Sequence, residues 1–333
     1  MAGFLARRFL SVVFVLWAMT VMVFAIVHIL PGSVAHMILG EYATNAAIAE
    51  MEERLGLNLP LYEQYWRWFS GLMRGDFGQS LTMERPVGPV ILEALGRSAI
   101  LASISIVLVA IIGIALGIHS ATHVNSWSDR GLTLMQYFFI AVPEFFWCIL
   151  VIIFFAVWLG WLPVGGRFPA TLLPPSGSGF YLVDSLRAGN LQQFSGTLRH
   201  LILPAATLGL LLSGIFTNAL RLNLRRALGS DYVEAARSRG LSERRVVLRH
   251  ALPNALLPVL TITGITVASL IGGALLIEVT YSWPGIAFRL QEAIAQRDYP
   301  LVQGIVVVVA ALVVLVTVAV DLLVALLDPR IRF

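Results

Sequence analysis

Apolar and polar positions in this chain come in long blocks rather than in short alternation. Six apolar stretches stand out, at residues 9–30, 99–118, 132–159, 201–220, 255–277 and 301–327. A helix rises about 1.5 Å per residue, so each stretch is long enough to cross a hydrocarbon core about 30 Å thick. Inside lipid the backbone must satisfy its own hydrogen bonds, which a helix does within one segment. The pattern therefore predicts an all-α integral membrane protein of six transmembrane helices. It divides the chain into a first span at 1–30, an extracytoplasmic helical insert at 31–98, and a core at 99–333 with spans two to six and a cytoplasmic loop at 221–254. Within the insert, Pro60 opens an amphipathic helical pattern that sets Leu61, Tyr65, Trp68 and Leu72 on one face and Tyr62, Trp66 and Phe69 on another. The stretch LLPPSGSG at 172–179 predicts irregular structure outside the membrane. Gly113-x3-Gly117 and Ala205-x3-Gly209-x3-Ser213 predict places where helices approach closely.

Composition sharpens the picture. With 58% hydrophobic and 13% charged residues, the chain has too few charges to cover a soluble protein of its length. Lysine is absent, so all 23 basic side chains counted as Lys or Arg are arginine. That rules out a lysine-dependent phosphate loop and a lysine Schiff base, so if ATP drives this protein, another chain hydrolyses it. The segments placed inside hold 13 of the arginines, eight of them between 221 and 249, which predicts both termini in the cytoplasm. This asymmetry accounts for the basic excess without nucleic acid as a partner. The first span follows Arg7 and Arg8 as a signal peptide would, yet its apolar run is too long and no A-x-A site follows, so it is expected to stay as an anchor. Cys148, the lone cysteine, has no partner for a disulfide. His119 and His123 stand four apart without a third ligand nearby, and no catalytic serine, histidine and carboxylate set or H-E-x-x-H pair occurs.

Two of the six stretches carry a formal charge, Glu144 in the third and Asp321 in the sixth. An ionisable group at membrane depth is a functional candidate. Glu144 either lines a polar route through the membrane or sits near the mouth of such a route against water or an arginine. Asp321 lies near the cytoplasmic end of its span and is expected to meet an arginine or water.

The loop at 221–254 carries the most specific signal. Asp231 and Glu234 form a D-x-x-E capping box, and Gly240 supplies a left-handed stop, which predicts a helix of about two turns. Ala235 and Ala236 leave room for a close partner surface, and Arg237 and Arg239 favour the carboxyl end of the helix dipole. Ser242 is expected to cap a second helix that Pro253 ends before span five.

The spacing Glu234-Ala235-Ala236, three residues, Gly240, nine residues, His250-Ala251-Leu252-Pro253 resembles the E-A-A-x3-G loop of permease subunits in binding-protein-dependent ABC importers. Further stretches narrow the resemblance to the B-type permease of the dipeptide/oligopeptide/nickel family: LGLNLPLYEQY at 55–65, GDFGQS at 75–80, YSWPGIA at 281–287, RDYPLVQG at 297–304 and DPRIR at 328–332. The sequence departs from the family at Ser33 and Val34 after Leu30-Pro31-Gly32, at Glu144 where an uncharged residue is usual, and at Asn254 after Pro253.

The resemblance implies the type I ABC importer permease fold in a bacterial inner membrane. It implies an ATPase-coupling helix at 232–239, with Asp231, Tyr232, Glu234, Ala235, Ala236, Arg237, Arg239, Gly240 and Pro253 at the contact. The implied partners are a second homologous permease in a heterodimer, two ATPase subunits that bind ATP and Mg, and an extracytoplasmic substrate-binding protein docking on the insert and on 278–300. The implied cargo is short peptides, with nickel chelates, glutathione or other small solutes as alternatives within the class, and the chain itself has neither cofactor nor catalytic site. An ion-coupled secondary transporter would show internal repeats and several buried charges, and an intramembrane enzyme a catalytic pair within the spans.

Overall fold

A computed structural model describes residues 2–29 and 44–327. The described residues are helical throughout apart from turns, loops and one isolated bridge between Gln79 and Pro86. In chain order the helices are α1 (Ala2–Ile29), α2 (Asn45–Leu55), α3 (Leu61–Met73), α4 (Val87–Thr122), α5 (Trp127–Ala141), α6 (Glu144–Val151, continuing as a π-helical turn Ile152–Trp158), α7 (Tyr181–Arg187), α8 (Leu191–Leu228), α9 (Asp231–Ser238), α10 (Glu243–Arg245, continuing as a π-helical turn Val246–Ala251), α11 (Leu252–Gly273), α12 (Leu275–Thr280), α13 (Ile286–Ala295) and α14 (Tyr299–Leu327).

Five helices among the described residues are long and apolar enough to cross a membrane, and six crossings result if α5 and α6 count as one bent span. The third predicted span is not straight: α5 and α6 meet at 105°. Pro143 is the cause. A residue before proline is pushed out of the helical region, and Val142 is extended at φ −97° and ψ 131°. The predicted fifth span also differs, since Pro253 does not stop the helix before it. Pro253 sits in the first turn of α11, directly after the π-helical turn. A proline ring pushes aside the carbonyl four residues earlier, and the wider π turn gives that carbonyl somewhere to go. Asp321 has no described side chain, and residues 30–34 and 328–332, on which part of the resemblance rests, lie outside the described residues.

The chain divides into two compact units, one from the residues up to Ala94 with Arg289–Ala311, the other from Leu95–Phe288 with the residues after Ala311. In the first, α3 lies against α1 through the face the sequence predicts for Tyr65 and Trp68. Phe24 meets Tyr65 edge-on at 5.4 Å and Trp68 at 5.9 Å, and the Thr20 and Tyr65 hydroxyls are 2.9 Å apart. Leu61, Tyr62 and Trp66 stay exposed. Asp298, fully buried, ties two loops together: it accepts from the Ser80 hydroxyl, from Thr82 N at 3.1 Å and Oγ1 at 2.8 Å, and from Leu301 N at 3.3 Å. The GDFGQS and RDYPLVQG segments thus form one hydrogen-bonded knot.

The second unit is built around α8. Gly113 and Gly117 of α4 let that helix close on α8; a Cβ at Gly117 would stand 2.8 Å from Leu220 Cδ2, and one at Gly113 would run into the Phe216 ring. Gly209 on α8 takes Leu108 in the same way, so both small-residue motifs serve packing within this chain. Two apolar clusters result, one around Leu201, Leu208, Cys148, Ile277 and Trp283, the other around Phe216, Leu220, Leu224, Val246 and Ala251. A second carboxylate knot closes the YSWPGIA segment. Glu278, 1% exposed, accepts from the Ser98 hydroxyl and from the amides of Ala287 at 2.9 Å and Phe288 at 3.1 Å. Trp283 Nε1 donates to Arg97 O at 3.1 Å, and the Tyr281 and Thr207 hydroxyls are 2.8 Å apart.

Candidate functional site

The candidate site is α9, which follows the end of α8 after a turn at Gly229 and Ser230. Ser230 rather than Asp231 is the N-cap: it is extended at φ −92° and ψ 153°, its carbonyl accepts from Glu234 N at 3.2 Å, and no side chain caps the helix. The predicted capping box is therefore absent. Serine one residue earlier already turns the chain, which places Asp231 and Glu234 inside the first turn, where carboxylates favour the positive end of the helix dipole.

The other end is as the sequence predicts. Gly240 is left-handed at φ +75°, Gly240 N donates to Arg237 O at 2.9 Å and Leu241 N to Ala236 O at 3.4 Å. This pair of bonds is a Schellman closure, and Leu241 packs on the apolar cluster beneath. Arg237 grips Glu243 beyond the stop with Nε–Oε1 at 2.7 Å and Nη2–Oε2 at 3.3 Å. Both side chains are well exposed, so the bridge orients α9 against α10 more than it stabilises the fold.

Helical spacing splits α9 into two faces. Val233 and Ala236 are buried against Leu220, Leu224, Val246, Val247 and Ala251, the cluster that joins the foot of α8 to the head of α11. Asp231, Tyr232, Glu234, Ala235, Arg237, Arg239 and Gly240 are exposed. The two alanines thus have different tasks, with Ala235 leaving the outer face open and Ala236 letting the inner face sit close. Pro253 is also exposed, on the far side of the π-helical turn. The result is a short knob with an apolar root and a polar, alanine-flattened crown.

A feature that pattern reading missed lies on the last turns of α8, just before this knob. Asp129, in the first turn of α5, has a side chain only 2% exposed and collects Arg225 Nη2 at 2.9 Å, Arg221 Nη2 at 3.0 Å, Asn125 N at 3.1 Å and the Ser120 hydroxyl. Arg221 Nη1 also donates to Thr133 Oγ1 at 2.7 Å. The cluster pins the α4–α5 turn to the last turns of α8. A signal for it was present in the sequence, because Arg221 and Arg225 are four apart and so share one helix face.

The remaining candidates lie elsewhere. Glu144 is exposed in the first turn of α6, just past the bend. The rings of His119 and His123 stack at 4.5 Å, and His119 Nε2 lies 3.0 Å from Ser128 Oγ.

Comparison with known proteins gives the family of the chain. Residues 111–333 match the family described as binding-protein-dependent transport system inner membrane component, and residues 1–102 match the N-terminal region of such membrane components. A dipeptide transport system permease protein of Alkalihalophilus pseudofirmus is 38% identical over 333 residues, covering all of both chains. A di/tripeptide transport system permease protein of Pseudomonas aeruginosa is 37% identical over 333 residues, covering 100% of this chain and 99% of that protein. An oligopeptide transport system permease protein of Bacillus subtilis is 33% identical over 334 residues, covering all of both. The chain is therefore a member of the family of binding-protein-dependent transport system inner membrane components, with the all-α, type I ABC importer permease fold of that family.

Proposed function

We propose that this chain is the permease subunit of an ATP-driven importer that carries short peptides into a bacterium. Relatives named for dipeptide, di/tripeptide and oligopeptide transport support the cargo. The observation that carries the mechanism is α9, a closed two-turn helix rooted by Val233 and Ala236 and exposing Asp231, Tyr232, Glu234, Ala235, Arg237 and Arg239. In this reading α9, Gly240 and Pro253 meet a groove on an ATPase subunit. Two such subunits hold ATP and Mg, a second homologous permease completes the pathway, and an extracytoplasmic binding protein delivers the peptide to the 31–98 insert and the 278–300 segment. Both termini are cytoplasmic, residues 99–333 form the transport core, and Glu144 lines the route.

ATP binding favours one of two global arrangements and so moves the knob. Because the root of α9 is packed on both α8 and α11, a push on the crown reaches two membrane helices at once. No bond chemistry falls to this chain.

The test is purification in gentle detergent followed by reconstitution with labelled dipeptide. We expect ATPase subunits to co-purify and Ala235→Trp, which fills the exposed crown without touching the root, to cut ATP-dependent uptake by about tenfold or more. Recovery of the chain without any ATPase subunit, or full uptake by Ala235→Trp, contradicts the reading.

A further inference from the structure

We propose that a cavity between α5 and α8 is a way-station that holds the passing peptide by its backbone amides, with Gln136 as the anchor. The proposal rests on the peptide reading above. The cavity measures about 300 Å³ and is lined by Thr133, Gln136 and Tyr137 of α5 and by Gly214, Asn218 and Leu222 of α8, among others. That volume lies at the lower end of the range for small-molecule sites, about 300–1,000 Å³.

Gln136 is only 8% exposed, yet its carboxamide makes no hydrogen bond among the described residues. Its polar atoms are not sealed in the packing; they open onto the cavity, where a ligand can meet them. Asn218, on the facing helix, likewise has no hydrogen bond among the described residues. The Thr133 hydroxyl, in contrast, is already engaged by Arg221 at 2.7 Å and by Asp129 O at 2.7 Å. The free polar groups of the cavity are therefore two carboxamides from opposing helices, Gln136 and Asn218, together with the Tyr137 hydroxyl.

A carboxamide offers two N–H donors and a carbonyl acceptor, the complement of a peptide bond. None of the lining residues carries a charge, so the site reads the backbone and ignores side-chain charge. Neutral hydrogen bonds of this kind also bind weakly enough to release a substrate in transit.

The test uses the assembled transporter with Leu222→Cys, an apolar position of the lining, labelled by a small thiol-reactive reagent; the only native cysteine, Cys148, is buried. Alanyl-alanine at millimolar concentration is expected to slow labelling severalfold, and an analogue with an N-methylated peptide bond to slow it less. Adding Gln136→Met, a near-isosteric change, is expected to raise the half-protecting concentration about five- to tenfold, the effect of one lost hydrogen bond. Equal protection by the two peptides, or protection unchanged by Gln136→Met, overturns the proposal. So does labelling that is blocked in the assembled transporter without peptide, which would mean that the second permease fills the cavity. If dipeptide uptake by the unmutated transporter occurs without any protection, only the cavity assignment falls; if no dipeptide is taken up, the peptide reading falls with it.

Discussion

Two sets of family-like segments in this chain spend their polar groups in opposite ways. Around α9 the carboxylates of Asp231 and Glu234 point out of an apolar root, exposed and available. In the YSWPGIA and RDYPLVQG regions the carboxylates of Glu278 and Asp298 are sealed inside, each bonded within its own unit. Both kinds of segment stand out equally in the sequence. Burial separates a carboxylate left out to be met from one built into a knot that holds, and only the first can itself touch a partner.

The largest expected effect tests the knot. Glu278→Ala leaves the Ser98 hydroxyl and the Ala287 and Phe288 amides without their acceptor, and each orphaned buried group costs about 1–3 kcal/mol. We expect a loss of about 3 kcal/mol or more, visible as early aggregation on thermal unfolding in detergent; stability equal to the parent would break the comparison. Next comes the stop of α9. Gly240→Ala forces a side chain into φ +75° and is expected to cost about 1 kcal/mol, while ATP-coupled uptake falls more than melting does. Uptake that tracks stability alone would return Gly240 to a purely structural role.

The smallest effect concerns the segment between α6 and α8. Burial alone would push the Asp184 carboxyl up, but the Ser178 amide and hydroxyl at 3.1 and 2.8 Å, the Gly179 amide and the Arg187 charge together hold it below the usual carboxylate range. A lowered value in the folded state stabilises above the unfolded value of 3.8 and is lost as pH falls through the folded one. Hydrogen exchange at Ser178 and Gly179 should therefore quicken below about pH 4. Asp184→Asn should level that response, and an unchanged pH profile in the variant would remove Asp184 as its source.

The spans were legible because about 20 apolar residues in a row have few other uses. Their angles were not. A hydropathy window counts composition and is blind to Pro143, which turns the third stretch by 105°. The stop at Gly240 was readable because few other residues accept its φ, whereas the start was misplaced by one residue because Ser230 and Asp231 are both good caps and only backbone geometry chooses. The carboxylate knots were illegible for a different reason. Glu278 lies 180 positions from Ser98 and Asp298 lies 218 from Ser80, distances over which local pattern carries no information. The Asp129 cluster shared that limit, although Arg221 and Arg225 announced one half of it.

The bend at Val142 and Pro143 also sets a condition on its surroundings. A helix that ends leaves its last carbonyls without donors from the same helix, and α5 ends there at Ala141. Lipid tails have no hydrogen-bond donor to offer them. If α5 and α6 are one crossing, the bend lies at membrane depth, and it must border water or packed protein rather than lipid. A single proline thus decides which side of one helix pair cannot be given to lipid.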